Sequence, residues 1–194
     1  MTPEQEHEYI RQARKNPPAF VHLYDHYFPR IHAYVRYRVD SVQDAEDVIA
    51  NVFFTAIHEL GRFKWRGEGS FAGWLFRIAH NLVADHYRQH RRVALPIQSS
   101  DSLAEPELTS HAPLPEEVLT QQETFRQIHA LIATLSPRRQ EVITLRFFGG
   151  LRNREIASIL RLDERTVAAH LSRGLQDLRQ RYAVQAKDVA EVAV

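Results

Sequence analysis

The chain has 194 residues, 44% of them hydrophobic, with 25 basic and 24 acidic side chains, so it can bury a core and its formal charge of +1 singles out no partner. The absence of cysteine excludes a disulfide framework and a thiolate metal site, and fits a reducing compartment. The opening Met1-Thr2-Pro3-Glu4-Gln5-Glu6 is acidic where a signal peptide is basic and then apolar, and no stretch approaches the roughly 20 apolar residues of a membrane span; a soluble, cytoplasmic protein is expected.

Glycine is scarce (7 residues) and apolar residues recur at helical spacing, which predicts an all-α fold. Thr2 with Pro3 reads as an N-cap and first-turn proline, and Asn16-Pro17-Pro18 stops that first helix. A second helix carries Phe20, Leu23, Tyr24, Tyr27, Phe28, Ile31, Tyr34 and Val35 three and four apart, with Pro29 expected to kink or interrupt it. A third runs from about Asp44 to Leu60, with Val48, Ile49, Val52, Phe53, Ile57 and Leu60 inward. The carboxylates of Asp44, Glu46 and Asp47 at its start are accounted for by the helix dipole alone.

In Arg62-Phe63-Lys64-Trp65-Arg66-Gly67 rings alternate with cations, a pattern suited to unpaired bases stacking on aromatics while the backbone follows positive charge. Phe63 is assigned to the core and Trp65, between Lys64 and Arg66, to function. A fourth helix spans about Ser70 to Arg92. On it Arg77, Asn81, Arg88 and Arg92 fall within an arc of roughly 60°, away from Phe71, Leu75, Ile78 and Leu82. His86 and His90 sit one turn apart, a spacing that can bind zinc, but they neighbour arginines and no third ligand is evident.

Residues 93–120 hold five acids and no Lys or Arg, with Pro96, Pro106, Pro113 and Pro115 among them, the composition of an extended linker. Stretched out, it would reach on the order of 90 Å, more than two turns of duplex DNA at roughly 70 Å, so the flanking blocks are expected on separate, well-spaced sites.

The second block, residues 121–182, begins with a helix near Glu123 to Leu135. Ser136-Pro137 then opens a helix to about Phe147, and Gly149-Gly150 ends it. Asn153 to Leu160 and Asp163 to about Tyr182 follow, joined only by Arg161-Leu162, a helix-turn-helix arrangement. Residues 134–182 carry ten arginines against five acids. In the last helix Val167, Leu171, Leu175, Leu178 and Tyr182 form a stripe of roughly 80°, while Arg165, Thr166, Ala169, Ser172, Arg173 and Gln176 face the other way. Small residues permit close approach to a major groove and arginine reads guanine or holds phosphate. A merely solvated helix also shows Arg and Gln; the tight turn, Glu155-Ile156-Ala157 and the local positive charge favour DNA. Residues 183–194 yield no reading.

Asp44-Ala45-Glu46-Asp47-Val48 with Val52-Phe53, and Phe71, Trp74-Leu75-Phe76-Arg77-Ile78-Ala79, Asn81, Asp85 and Arg88, resemble region 2 of the extracytoplasmic-function sigma factors, members of the sigma-70 superfamily. Leu135-Ser136-Pro137-Arg138-Arg139, Val142-Ile143, Leu145-Arg146-Phe147, Glu155-Ile156-Ala157, Thr166-Val167 and Arg173-Gly174-Leu175 resemble their region 4. The resemblance implies a specificity subunit that acts with core RNA polymerase and catalyses nothing itself. Asp44, Glu46, Asp47, Val48 and Asn51 would dock on the clamp helices of the largest subunit. Residues 1–92 would open the promoter, with Trp65, Arg66, Arg77, Asn81, Arg88 and Arg92 on the melted minus-ten element. Arg165, Thr166, Ala168, Ala169, Ser172, Arg173 and Gln176 would read the minus-thirty-five element as duplex, and region 4 would meet the polymerase flap. The acidic linker would thread a basic channel of the polymerase. An anti-sigma protein masking these surfaces fits the resemblance, though no residue identifies one.

Four positions depart from the pattern: Ala50 where a polymerase-facing glutamine is frequent, Arg152 in place of a capping serine, Arg161 where the turn often has glycine, and Ala168 in place of a cation. Asn153 is expected to cap in place of Arg152, and Arg161 to pay for a left-handed conformation. The rival readings are a two-domain DNA-binding regulator, disfavoured because nothing in the first block reads as strand, and a metal-dependent hydrolase built on His86 and His90. No catalytic residue, cofactor or metal is assigned.

Overall fold

The computed structural model describes the backbone of residues 1–93 and 126–192 and the side chains of 1–90 and 126–183. Every regular element among them is helical: α1 (Pro3–Lys15), a 3-10 turn (Pro17–Phe20), α2 (Val21–Arg38), α3 (Val42–Glu59), α4 (Ser70–Val93), α5 (126–133), α6 (Pro137–Phe147), α7 (Asn153–Leu160) and α8 (Glu164–Val192). Nearly all of the expected linker and the start of the helix expected from Glu123 lie outside the described residues.

Local chemistry sets the helix ends. At α1 the Gln5 amide donates to the Thr2 hydroxyl (3.3 Å) and the Thr2 amide to the Gln5 side chain (2.9 Å), a reciprocal cap with Pro3 in the first turn. Ser41 caps α3 by accepting from the Asp44 amide at 3.2 Å, so that helix starts two residues before Asp44. Asn16 ends α1, and Pro17 opens the short turn that redirects the chain into α2.

Pro29 neither kinks out nor interrupts α2, which is continuous from Val21 to Arg38. Leu23 and Tyr27 before it, and Ile31, Tyr34 and Val35 after it, are all buried. Packing on both sides offsets the one lost backbone bond, and Pro29 itself is exposed. Three stripe residues also differ from expectation, Tyr24 being exposed at the rim of α2. Ile57 is exposed because Ala56 takes the inward position between Phe53 and Leu60, and Tyr182 is exposed because α8 runs past its support there.

α1 to α4 pack around Tyr34, Leu75, Phe71 and Phe76. Arg14 braces the loop after α3 by donating to the carbonyls of Leu60 and Phe63. The second block does not stand apart: Val142, Leu145, Leu151, Ile156 and Val167 belong to the same buried cluster as the first. Along the seam Arg30 donates to the Gly149 carbonyl (3.0 Å from Nε), His129 lies 3.1 Å from the Tyr37 carbonyl, and Arg38 is 3.8 Å from Glu141. A Cβ at Gly149 would lie 3.1 Å from the Phe76 ring, so the turn ending α6 packs directly on α4. The sequence reading separated the blocks because linker length bounds their distance without setting it.

Candidate nucleic-acid interface

The helix-turn-helix is built by three local devices. Glu155 reaches back to accept from the Arg152 amide at 2.6 Å, so Arg152 occupies the cap position and Asn153 is the first helical residue, not the cap. Arg161 closes α7 in the left-handed conformation, φ 56° and ψ 47°, as its place in the turn predicts. Asp163 caps α8, accepting from the Thr166 amide at 2.7 Å and from its hydroxyl at 2.6 Å, bonds that hold its carboxyl below the usual range.

These caps fix the phase of α8. Val167 is fully buried, Gly174 sits against Ile143 where a Cβ would meet its Cδ1 at 2.8 Å, and Leu171, Leu175 and Leu178 are half-buried. Opposite them Arg165, Ala168, Ala169, Ser172, Arg173 and Gln176 are exposed on one face. Thr166 is half-buried, its hydroxyl already committed to the cap.

On the first block Arg77, Asn81 and Arg88 are exposed along α4, whereas the side chain of Arg92 lies outside the described residues. Two of these cations are engaged: Arg77 donates to the Ser158 hydroxyl of α7 at 2.6 Å and Arg88 pairs with Asp85. A cleft of about 710 Å³ opens beside Arg77 between the loop after α3, α4 and α7. Arg62, Lys64, Arg66, Arg77 and Arg154 line it, with Glu155 as its one carboxylate. The aromatics that line it are Phe63 and Trp74, tilted against each other with ring centroids 4.9 Å apart, Phe63 being the more buried; Trp65 instead lies with one face on His7, ring centroids 5.1 Å apart and nearly parallel. The sequence marks Trp74 only within the run that resembles region 2, because the path of the loop after α3 decides which rings reach the cleft.

On α3, Glu46, Asp47 and Asn51 are exposed and Asp44 is half-buried, but Val48 is 7% exposed and points into the core, so it offers no outward contact. One turn beyond Asn51 stands Phe54, 63% exposed, a residue the sequence pattern singles out for no role. Asp47, Asn51 and Phe54 share one face at helical spacing.

Family models of "Sigma-70 region 2" and "Sigma-70, region 4" match residues 23–93 and 125–178. The chain is 31% identical over 160 residues to the ECF RNA polymerase sigma factor BldN of Streptomyces coelicolor, covering 82% of this chain and 59% of that one. The chain belongs to the extracytoplasmic-function sigma factors of the sigma-70 family. Another such sigma factor, SigX of Bacillus subtilis, is 28% identical over 158 residues, covering 81% of this chain and 80% of its own. The sigma fold recurs in CnrH, solved with the cytosolic domain of CnrY, at TM-score 0.66 and 21% identity, covering 91% and 96% of the two chains. It recurs also in RpoE of Bartonella quintana, solved with the anti-sigma factor NepR, at TM-score 0.63 and 18% identity, covering 85% and 97%. No described helix of this sigma factor is long and apolar enough to cross a membrane.

Proposed function

We propose that this chain is a cytoplasmic specificity subunit that binds core RNA polymerase, directs it to promoters and catalyses no reaction itself. The observation that carries the reading is the pair of unlike nucleic-acid surfaces: a capped helix with a flat, small-residue and arginine face, and a separate cation-lined cleft holding an aromatic ring. A flat helical face fits a duplex groove, and a cleft with cations and a ring fits splayed bases. Arg165, Ala168, Ala169, Ser172, Arg173 and Gln176 would thus read the minus-thirty-five element, with Thr166 contributing mainly through its cap. Arg66, Arg77, Asn81, Arg88 and Arg92 would engage the melted minus-ten strand, with Trp74 as the stacking ring and Trp65 at the margin. Asp47, Asn51 and Phe54, with Asp44 and Glu46 beside them, form the face offered to the polymerase. The division into front (1–92), linker (93–120), back (121–182) and tail (183–194) follows that separation of labour. Partners of anti-sigma type, such as the NepR solved with RpoE, would act on the same surfaces.

Arg77 is bonded to Ser158 and α7 walls the cleft, so engagement of the front half requires the seam to part. The test is reconstitution with core polymerase that lacks a specificity subunit, followed by promoter-dependent transcription. Arg173→Ala should lower duplex affinity and reduce the salt slope by about one, while leaving polymerase binding intact. A purified chain with no affinity for core polymerase overturns the reading.

A further inference from the structure

His86 and His90 lie one turn apart on α4, and the fold supplies the third ligand that the sequence left open. Asp44, in the first turn of α3, places a carboxylate oxygen so that it and one nitrogen of each imidazole all lie within 4.8 Å of one another. The two rings are 4.0 Å apart, centroid to centroid, and His90 Nε2 is 3.6 Å from Asp44 Oδ2. His90 Nδ1 lies 3.1 Å from the carbonyl of His86. A carbonyl only accepts, so Nδ1 carries the hydrogen, and in a neutral ring the lone pair is on Nε2, aimed at a carboxylate. That nitrogen and the carboxylate oxygen thus converge on one small region, as two ligands of a single cation would.

The dimensions suit the metal. A tetrahedral zinc ion with ligands at about 2.0–2.2 Å keeps them about 3.4 Å apart, close to the His90–Asp44 separation. The Nδ1 to carbonyl bond is the outer contact that orients a ligating imidazole. Two imidazoles and one carboxylate favour a zinc-class ion over magnesium or calcium, and leave a position for water. Arg88 does not oppose the charge: it lies about 200° around α4 from His86 and is paired with Asp85. Asp44 and His86 are half-buried and His90 is exposed, so the site is open to exchange.

We propose that Asp44, His86 and His90 bind a divalent zinc-class cation that clasps the first turn of α3 to the later turns of α4. This does not rest on the functional reading above. The test is calorimetric titration of zinc into the full, untagged, chelator-stripped chain. One zinc per chain is expected. His86→Ala, His90→Ala and Asp44→Asn should each weaken it at least as much as the roughly 10–100-fold typical of losing an outer-shell partner, with unchanged far-UV circular dichroism. The chain has 11 histidines, so a His22→Ala, His26→Ala double variant, which removes another pair at the same spacing, should bind as the parent does. Absence of zinc binding, as for a plain imidazolium–carboxylate pair, overturns the site. So does binding that persists in His90→Ala or Asp44→Asn.

Discussion

Glu6 is a carboxylate held in the interior of the front half, accepting from the Tyr27 hydroxyl. Burial is the main cause of its raised pKa, with nearby Glu68 adding to it, while Tyr27, Arg30 and the amino terminus pull the other way. The folded chain therefore binds this proton more tightly than the unfolded chain does. Stability from this group is fully present below the ordinary carboxylate value of 4.5 and falls as pH rises through the folded value. Glu6→Gln keeps an oxygen for Tyr27 and removes the charge. It should melt at higher temperature than the parent near neutral pH, with the gap closing toward about pH 4; equal melting temperatures near neutrality count against it. The two tryptophans make a second pair of expectations. Trp74 packs on Phe63 and Phe71, so Trp74→Ala should cost about 3 kcal/mol, while Trp65 is half-buried at the edge of the core and stacked on His7, so Trp65→Ala should cost less, about 2 kcal/mol. Urea titration gives both, and the reverse order would return Trp65 to the core. The sequence distinguished Phe63 as buried from its neighbours, but alternation of rings and cations carries no information on the side to which the loop turns each ring.

Helix boundaries were the most legible elements, because Thr2, Ser136-Pro137 and Asp163 act through bonds to residues three or four away, and Gly149 through one to Thr144, five away. Where a local rule competes with packing, packing wins, as at Pro29 within α2. Where hydrophobic spacing alone was used it failed by one position at Ile57, apolar yet exposed, since the phase of α3 is set by its start at Val42 and by its buried face. Arg161 is the case in which the sequence forecast a strained element and the structure carries it. It is the one described residue other than glycine with positive φ, and its side chain is exposed. Left-handed backbone costs a residue with a Cβ roughly 1–2 kcal/mol that glycine avoids. Arg161→Gly should therefore raise unfolding free energy by about 1 kcal/mol, read as a higher urea midpoint with unchanged slope. No rise would mean that the side chain makes a compensating contact.

The arrangement of the two halves was the least legible feature, because its contacts are glycines, carbonyls and single polar side chains that no periodicity marks. Glu155 shows how specific they are. It is 8% exposed, one oxygen caps α7, and the other has no hydrogen-bond partner among the described residues. Its side chain lies against Gly69 and Gly73 at the start of α4, where a Cβ at Gly73 would approach Cγ to 3.3 Å and one at Gly69 would land on the carboxylate oxygen. The seam thus closes only because side chains are missing there. Gly69→Ala should force it apart, yet Gly69 also has φ of +79°, so backbone strain alone would destabilise the variant. Gly67 supplies the control, with φ of +96° and open space around its Cα, so Gly67→Ala imposes comparable strain without touching Glu155. Small-angle scattering should show a larger radius of gyration for Gly69→Ala than for Gly67→Ala or the parent. Short single-stranded DNA should bind more tightly to Gly69→Ala alone, since parting α7 from α4 frees Arg77 and opens the cleft. Identical radii would mean that the carboxylate moves aside within a closed seam, and that the front surface is released by something other than this contact.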